Sequence, residues 1–484
     1  MQFPFVSECT MLDFDMRNPQ AQPLEEGLAA RPWLAVATVC LGAAMAAIDA
    51  SIVSTGFPTM QHAFHTTPSD IAWVSLAYLL ALTTVVVLAG RLADTIGRSR
   101  MYRFGFLVFG VASAGCGFAP SLWVLLLSRV AQGIGAAMLQ ANSVAIVTSS
   151  VPASMRGRAI GVQGAAQAVG LAIGPAVGGL LIGAFSWRAI FLVNLPIAAF
   201  ALIIAPFTLP RDAQRHPGQP RPQVDVTSSL LLAGALTLLL LAFGGHGIWY
   251  LEALAGLVLG YFFAVRQFRV EAPLVHPSVV RIIHVTGGVI LGVLSFSVLY
   301  GIFFLLPYYF ERVRGLPPAH MGIIVSTVAL AMTAVAPVAG TIADRFGNRL
   351  VAVAGLGVTA VGALLVFLWT KDIAFGLTVP ALVLIGAGAG VFTPPNNSSV
   401  MGNSPKEHLG VTGGLLNMGR SIGMTIGNAL AAAMYSLSPQ DPFQGFRDGT
   451  LALLIVAVAS IVLQAVLPKE PRGGTRPDIP FLPD

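Results

Sequence analysis

Residues 90–98 read GRLADTIGR, and residues 340–348 read GTIADRFGN. Four positions agree at a constant offset of 250: Gly90, Ala93, Asp94 and Gly97 match Gly340, Ala343, Asp344 and Gly347. A repeat at this distance indicates two similar halves, each with one charged turn after its second apolar segment. The residues alone also allow a chance match, or an ordinary solvated loop that merely follows the charge bias of a membrane protein.

The composition around the repeat is that of a membrane protein. Hydrophobic residues occupy 55% of the 484 positions, charged residues occupy 10%, and the mean hydropathy is +0.79. Soluble domains usually carry about 25% charged residues. The net charge of +6 does not indicate nucleic-acid binding, because the basic residues lie in short loops between apolar runs. We therefore expect a lipid bilayer, and no nucleic acid, as a partner.

Fourteen apolar segments are long enough to cross a bilayer, which takes about 20 residues in a helix. They cover residues 33–56, 69–90, 102–119, 121–147, 159–184, 189–208, 226–243, 249–265, 286–308, 320–342, 350–369, 374–395, 409–435 and 449–467. The predicted fold is an all-α polytopic membrane protein with 14 transmembrane helices. It consists of two six-helix halves and a two-helix insertion between them.

The domain boundaries follow from this count. We predict an N-terminal half at 33–208, an inserted hairpin at 226–265 and a C-terminal half at 286–467, with cytoplasmic linkers at 209–225 and 266–285. Residues 244–247 read GGHG and predict the tight turn of the hairpin. Residues 1–32 and 468–484 are predicted to be disordered cytoplasmic tails.

The basic residues predict the orientation. Of the 27 Lys and Arg residues, Arg129 and Arg420 lie well inside predicted spans and five lie in loops on one side. The other 20 lie in the tails and in the loops on the tail side, with Arg103 counted there because it is the second residue of the adjoining span. Because cytoplasmic loops are enriched in Lys and Arg, both termini are predicted to be cytoplasmic, in a bacterial inner membrane.

Several longer patterns occur in a fixed order. They are AIDASIVSTGFP (47–58), GRLADTIGRSR (90–100), RVAQGIGAAM (129–138), GLAIGPAVGG (170–179), WRAIFLVNLPI (187–197) and LLNMGRSIG (415–423). Over residues 33–467 the chain resembles the major facilitator superfamily, and within it the fourteen-helix drug:proton antiporters of the multidrug efflux type. Two departures from the usual pattern are Ser54-Thr55-Gly56 in the first helix and Ser421 in the thirteenth.

The resemblance implies roles for particular residues. In the loop signature it implies a conformational switch at Gly90, Asp94, Gly97, Arg98, Gly340, Asp344 and Gly347. In the fifth helix it implies the antiporter signature at Gly170, Gly174, Pro175, Gly178 and Gly179. For Arg129 it implies a part in the proton path, by modulating the acidic residue of the first helix.

Asp49 lies about two-thirds along the first span, after a dozen apolar or small residues. A carboxylate in mid-membrane costs roughly 3 kcal/mol on insertion scales, and burial disfavours its charged form. Asp49 is therefore the best candidate for a site that binds a proton or a cationic substrate. The alternative is a packing residue that hydrogen-bonds Ser51 or another neighbour. Arg129 faces either a cavity or carboxylate, or it extends to the interface as an anchor.

Gly170, Gly174 and Gly178 recur every four residues and are predicted to share one face of a helix. Missing side chains let another helix approach, and Pro175 removes a backbone donor and bends its own helix. Such a bend between the halves can seal the transport path on one side. Generic small-residue packing is the alternative.

Candidate substrate-cavity residues are Gln132, Tyr300, Phe304, Asn417 and Arg420. Aromatic walls suit planar, apolar or cationic ligands. The alternative for the aromatic residues of the ninth span is a lipid-facing or interfacial position. For Asn417 and Arg420, which lie three residues apart, it is a polar clamp between helices.

The sequence contains no GxxxxGK[ST] loop for ATP, no HExxH pattern and no soluble domain of enzyme size. We predict a transporter rather than an enzyme, without metal or organic cofactor, energised by a proton gradient. It is expected to export small apolar or cationic molecules as a monomer, alone or with periplasmic adaptor partners. The alternatives are a dedicated exporter of one metabolite class, a proton-coupled importer, and a membrane sensor that transports nothing.

Overall fold

The computed structural model describes residues 32–212, 225–242, 248–270, 273, 277–405 and 409–468. The predicted disordered tails, most of the 209–225 linker and the predicted turn at 244–247 lie outside the described residues. What is described is almost entirely helical.

The N-terminal half consists of long helices that run back and forth, with short connections. The helices are α1 (Pro32–Ile52), α2 (Phe57–Phe64), α3 (Pro68–Ile96), α4 (Arg98–Gly117), α5 (Leu122–Ser150), α6 (Arg156–Ala184), α7 (Ala189–Leu192) and α8 (Asn194–Thr208). A 3₁₀ turn at Val53–Gly56 joins α1 to α2. The first span is therefore one 33-residue helical stretch that ends at Phe64, eight residues beyond its predicted end at 56.

The remaining helices follow the same pattern. They are α9 (Val226–Ala242), α10 (Trp249–Gln267), α11 (Pro277–Val280), α12 (Ile283–Tyr308), α13 (Pro318–Phe346), α14 (Asn348–Phe367), α15 (Phe375–Gly402), α16 (Leu409–Ser436) and α17 (Pro442–Val466). A π turn at Tyr309–Val313 extends α12. We call the end of the bundle where α1 begins and α17 ends the tail side, and the opposite end the far side.

All fourteen predicted spans coincide with helices. Among the described residues, eleven helices are long and apolar enough to cross a membrane. The other three predicted spans correspond to α4, α9 and α16. The structure therefore confirms an all-helical polytopic membrane protein, while the count of fourteen crossings stays a prediction.

The inserted hairpin is held at its base by polar contacts. Asp225, just before α9, accepts hydrogen bonds from Ser228 Oγ at 2.5 Å and from Arg266 Nη2 at 3.1 Å. Burial raises the pKa of Asp225, but the bonds from Ser228 and Arg266 outweigh that effect, so the pKa lies below its usual value. The hairpin packs against the N-terminal half through α9 and α3.

The two halves meet most closely on the far side. There α6 packs against α13, and α3 packs against α16. Ala176 N donates to Ser326 Oγ at 2.9 Å, and the Oγ atoms of Ser69 and Ser436 are 2.8 Å apart. On the tail side α6 has open space beside three of its glycines, since a Cβ added at Gly157, Gly161 or Gly164 would meet no atom within 4 Å. The bundle is therefore closed on the far side and open on the tail side.

Candidate functional site

Asp49 is fully buried in the last turn of α1, inside the N-terminal half. Its carboxylate contacts α5 and α8 rather than its own helix. Ser51 is not a partner of Asp49, since Ser51 Oγ donates to the carbonyls of Ala47 and Ile48. The alternative of a packing residue bonded to other neighbours is not contradicted, because Gln132 and Asn194 donate to Asp49. Asp49 instead lies at the centre of a polar cluster within an apolar bundle.

Arg129 of α5 is the main partner of Asp49. Its Nη1 donates to Asp49 Oδ2 at 2.6 Å and to Gln132 Oε1 at 2.6 Å, and its Nε donates to the Val74 carbonyl at 2.7 Å. The guanidinium carbon lies 4.3 Å from the centre of the Tyr78 ring, close enough for a cation–π interaction. Arg129 is only 1% exposed, so the interpretation of Arg129 as an interfacial anchor is wrong.

Two amide side chains complete the shell around the other carboxylate oxygen. Gln132 Nε2 donates to Asp49 Oδ1 at 2.8 Å and to Ser113 Oγ at 2.7 Å. Asn194, the first residue of α8, donates from Nδ2 to the same Oδ1 at 3.1 Å. Gln132 was predicted to line a substrate cavity, but it is fully buried and holds Asp49 in this conformation.

Asn194 is the site residue that the sequence did not identify as functional. It lies in the WRAIFLVNLPI pattern at the start of the sixth span, so the only available signal was an uncharged amide in an apolar segment. Its Oδ1 atom is buried and has no hydrogen-bond partner. An unpaired buried acceptor costs about 1–3 kcal/mol. The Asn194 amide keeps this cost in order to donate from Nδ2 to Asp49, so the bond to Asp49 determines its orientation.

Asp49 and Arg129 form an ion pair whose side chains are no more than 1% exposed. Removing one partner of a buried pair costs about 3–5 kcal/mol, because the other charge then lacks compensation. A proton added to Asp49 has the same effect on Arg129 without any mutation. The arrangement can therefore convert protonation of one carboxylate into a force on α5.

Asp49 is also linked to the glycines of α6. Gly170, Gly174 and Gly178 all face α1, as their spacing predicts, and contact Ala44, Ser51 and Thr55 so closely that a side chain would not fit. Gly179 and Gly322 bring α6 and α13 together, with Gly322 against the carbonyl of Pro175. The helix that carries Asp49 thus packs on the helix that closes the far side.

The aromatic residues of α12 lie inside this closed far-side interface. Tyr300 is 3% exposed and Phe304 is fully buried. The Phe304 ring lies 5.2 Å from that of Phe57 in the N-terminal half. The alternative of a lipid-facing position is therefore wrong for both, and they join the two halves at the closed end of the path.

The other predicted cavity pair lies on α16. Asn417 is exposed, and the guanidinium carbon of Arg420 lies 5.6 Å from the centre of the Phe296 ring of α12. The two residues are not brought to Asp49. A polar clamp between helices is consistent with the position of Arg420 but not with that of exposed Asn417.

A partly buried acid, Glu311, lies in the π turn that extends α12. Glu311 Oε2 is buried without a hydrogen-bond partner, as are the hydroxyls of Tyr308 and Tyr435. The Tyr308 and Tyr435 ring centres are 4.6 Å apart. π turns often occur at functional positions, but no residue of this group contacts the Asp49 cluster in the hydrogen bonds described.

The charged turns of the repeat have the same backbone but different partners. Gly97 (φ +110°) and Gly347 (φ +91°) both adopt a conformation that favours glycine, at matching positions of the repeat. Asp94 pairs with Arg98 at 3.0 Å, whereas Asp344 forms no salt bridge among the described residues. Gly90 and Gly340 have open surroundings, with the nearest atom 3.8 Å and 4.0 Å from an added Cβ.

The carboxylate that caps α4 belongs to Asp212 rather than to Asp94. Asp212, from the segment after α8, accepts hydrogen bonds from the backbone N–H groups of Ser99 at 2.8 Å and Arg100 at 3.1 Å. It thereby satisfies free donors in the first turn of α4 and places a negative charge at the positive end of the helix.

The comparison with known proteins identifies the class. A family model described as "Major Facilitator Superfamily" matches residues 39–427 and 288–480. The chain therefore belongs to the major facilitator superfamily, and it is a secondary transporter rather than an enzyme.

Individual relatives agree with that assignment. The riboflavin transporter RibZ of Clostridioides difficile is 30% identical over 90% of this chain and 94% of its own length. The tetracenomycin C resistance and export protein of Streptomyces glaucescens is 30% identical over 86% of this chain and 78% of its own length. A bacterial homologue of the human lysosomal transporter Spinster, solved in an inward-facing and unoccupied conformation, superposes with a TM-score of 0.65 at 16% identity. That alignment covers 90% of this chain and 96% of the homologue.

Proposed function

We propose that this protein is a drug:proton antiporter of the fourteen-helix type, which exports small apolar or cationic molecules in exchange for protons. The observation that carries the proposal is the buried Asp49–Arg129 pair between α1 and α5, since α1 also packs on the glycine face of α6. Both termini are proposed to lie in the cytoplasm, and all fourteen predicted spans are proposed to cross the inner membrane.

The proton is proposed to bind Asp49. With Asp49 ionised, Arg129 is neutralised and the two helices are held together. With Asp49 protonated, Arg129 keeps its charge but loses its counterion in a dry site, which is costly. Relief comes from movement of α5 or α1 that brings water or another acceptor to the guanidinium. Proton binding from one side of the membrane therefore favours a different arrangement of the helices.

The glycine face of α6 is proposed to transmit this movement. Because Gly170, Gly174 and Gly178 leave no gap against α1, a shift of α1 must be followed by α6. The far-side end of α6 in turn contacts α13 through Gly179. Protonation of Asp49 would thus alter the α6–α13 contact that closes the far side, and the repeated turns at Gly97 and Gly347 would accommodate the rocking of each half.

The nature of the cargo rests on two arguments. In this conformation Asp49 is occupied by Arg129, which leaves it unable to pair with a cationic substrate directly. Aromatic side chains at the far-side end of the path, including Tyr300 and Phe304, suit planar apolar molecules. The similarity to a tetracenomycin C resistance and export protein supports export as the direction of transport.

The second candidate is a dedicated transporter of one metabolite class. It is favoured by the similarity to a riboflavin transporter along nearly the whole chain. Riboflavin is itself planar and aromatic, so the two candidates differ in breadth of substrate rather than in the chemistry of the path. A sensor without transport has no specific observation in its favour.

Transport in inverted vesicles tests the proposal. Wild-type protein, Asp49→Asn and the control Asp372→Asn, which changes an exposed acid in the far-side α14–α15 loop, would be reconstituted and given a proton gradient. We expect gradient-dependent accumulation of a fluorescent cationic dye by wild type and control, and none by Asp49→Asn. Riboflavin, tested in the same vesicles, distinguishes a narrow from a broad substrate range. Undiminished gradient-driven uptake by Asp49→Asn would overturn the assignment of the proton site.

A further inference from the structure

Two aromatic rings lie beside the guanidinium of Arg129. The guanidinium carbon is 4.3 Å from the centre of the Tyr78 ring and 5.7 Å from the centre of the Phe191 ring. Both distances allow cation–π interactions, which are stronger in a dry site than at an exposed one. Tyr78 is 1% exposed and Phe191 is fully buried. The two rings therefore belong to the same buried cluster as the ion pair of Asp49 and Arg129.

A close backbone contact holds Tyr78 beside Arg129. Gly133 follows Arg129 by one turn of α5, and a Cβ added at Gly133 would collide with the backbone carbonyl of Tyr78. Helices α3 and α5 thus approach each other without an intervening side chain at this level. The backbone that carries the Tyr78 ring cannot retreat from Arg129 unless one of these helices moves.

Phe191 is held by a different contact. Its ring packs edge-on against the ring of Trp187, with the ring centres 6.3 Å apart. Phe191 lies in α7, three residues before Asn194, whose amide donates to Asp49. The short α7–α8 segment therefore supplies one group to each member of the ion pair: a ring to Arg129 and an amide to Asp49.

The two rings interact differently with the two protonation states of Asp49. The ionised pair is neutral overall, whereas protonation of Asp49 leaves the net positive charge of Arg129 in the same place. The negative face of an aromatic ring attracts a net positive charge and gains less from a neutral pair. The rings therefore stabilise the protonated state more than the ionised state. They offset part of the cost of leaving a buried guanidinium without its counterion.

The other titratable groups near the pair supply no competing charge. The Cys116 thiol of α4 and the Tyr78 hydroxyl of α3 both interact electrostatically with the pair, and Tyr300 of α12 interacts with Tyr78. Thiols and phenols are uncharged in the acidic and neutral range in which carboxylates titrate. The side chains of α5 and α8 that donate to Asp49 are neutral amides, apart from Arg129 itself. Helix α6 carries no titratable residue beyond its first turn.

We propose that the rings of Tyr78 and Phe191 hold the charge of Arg129 while its counterion is protonated. They act as positioning residues, which raise the pH at which Asp49 takes up its proton. This inference rests on the proposal that Asp49 binds the transported proton. It adds that the pH of the response is set in part by uncharged rings beside Arg129.

Infrared titration of the full-length protein in lipid vesicles tests this. The part of the protonated-carboxyl band that disappears in Asp49→Asn reports the protonation of Asp49 without any measurement of transport. We expect Tyr78→Leu to move the midpoint of this band about one pH unit lower, a tenfold loss of proton affinity. Tyr78→Phe, which keeps the ring, should titrate as the wild type does. Tyr102→Leu removes another fully buried tyrosine of the same half and should leave the midpoint unchanged.

Phe191→Leu keeps the proposal testable if Tyr78→Leu does not fold. Its ring lies farther from the guanidinium, so we expect a smaller shift in the same direction. Phe106→Leu is its matched control, since Phe106 is also fully buried in the N-terminal half. Unshifted midpoints in the variants at 78 and 191 that fold, or equal shifts in the controls, would overturn the role of the rings and leave the proton site intact. A carboxyl band that is unchanged by Asp49→Asn would overturn the proton site itself, and the role of the rings with it.

Discussion

Arg129 Nη1 donates to Asp49 Oδ2 at 2.6 Å, and neither side chain is more than 1% exposed. The pair joins α1 to α5 inside an otherwise apolar bundle, where Gln132 and Asn194 are its polar neighbours. A buried charge pair is rarely needed to hold two helices together, because hydrophobic residues of the same volume often stabilise the contact equally well. We propose that its role is to respond to the binding of a single proton.

The stability of single and double variants measures how strongly the two charges of the Asp49–Arg129 pair depend on each other. We expect Asp49→Asn and Arg129→Gln each to lower the free energy of unfolding by about 3–5 kcal/mol, because each leaves the partner without compensation. The double variant is expected to recover much of that loss, since no charge remains buried. Thermal unfolding in detergent, followed for all four proteins, checks this. Losses that simply add would mean that the two charges do not depend on each other.

Asn194 is expected to act through Asp49. Asn194→Ala removes a donor 3.1 Å from Asp49 Oδ1 and should lower the initial rate of gradient-driven transport several-fold, as expected for a hydrogen bond to a charged group worth about 1.5–3 kcal/mol. Proton binding would be measured as the protons released when substrate is added. Adding Asn194→Ala to Asp49→Asn should change this release little further. Equal effects in both backgrounds would give Asn194 an independent role.

The sequence predicted the helices and the two charged members of the site well. Charged residues inside apolar segments are rare, so Asp49 and Arg129 stand out even in a single sequence. Only the family resemblance linked the two, by implying that Arg129 modulates the acidic residue of the first helix. The residues alone do not predict the contact, because the two positions are 80 residues apart and nothing in one sequence says which helices are neighbours. Asn194 carries no charge, and its role depends wholly on that unknown packing.

Burial was the least predictable property. In a soluble protein an apolar face indicates the core, but in a bilayer both faces of a helix are apolar. Tyr300 and Phe304 therefore allowed a lipid-facing position as readily as a buried one, and only the contact between the halves decides it. Asp212 was likewise predicted only to lie in a cytoplasmic linker. In the structure it caps α4, although it lies 113 positions from Ser99 in the sequence.

Asp212 is expected to contribute more to stability than Asp94. Asp212→Ala leaves two backbone donors of α4 without an acceptor and should cost about 1–2 kcal/mol. Asp94→Ala removes an ion pair whose side chains are 50% and 44% exposed, which is worth less than about 1 kcal/mol. Thermal unfolding of the two variants gives the order. A larger loss of stability for Asp94→Ala than for Asp212→Ala would contradict the assignment of the capping role to Asp212.

Gly179→Ala is expected to force the far side open. A methyl group at Gly179 would collide with the carbonyl of Pro318 in α13, and that backbone contact cannot relax by turning a side chain. Gly161→Ala is the matched control in the same helix, because a methyl group there meets no atom within 4 Å.

Distances between spin labels report the change directly. Labels on Phe185→Cys and Leu437→Cys, which are 78% and 68% exposed on the far side, would be introduced after replacement of the three native cysteines. Because α6 and α13 can no longer approach, the distance in Gly179→Ala should lengthen, and gradient-driven transport should be largely lost. In Gly161→Ala both should match the parent. If Gly179→Ala keeps the parent distance and transports normally, the contact of α6 with α13 does not close the path.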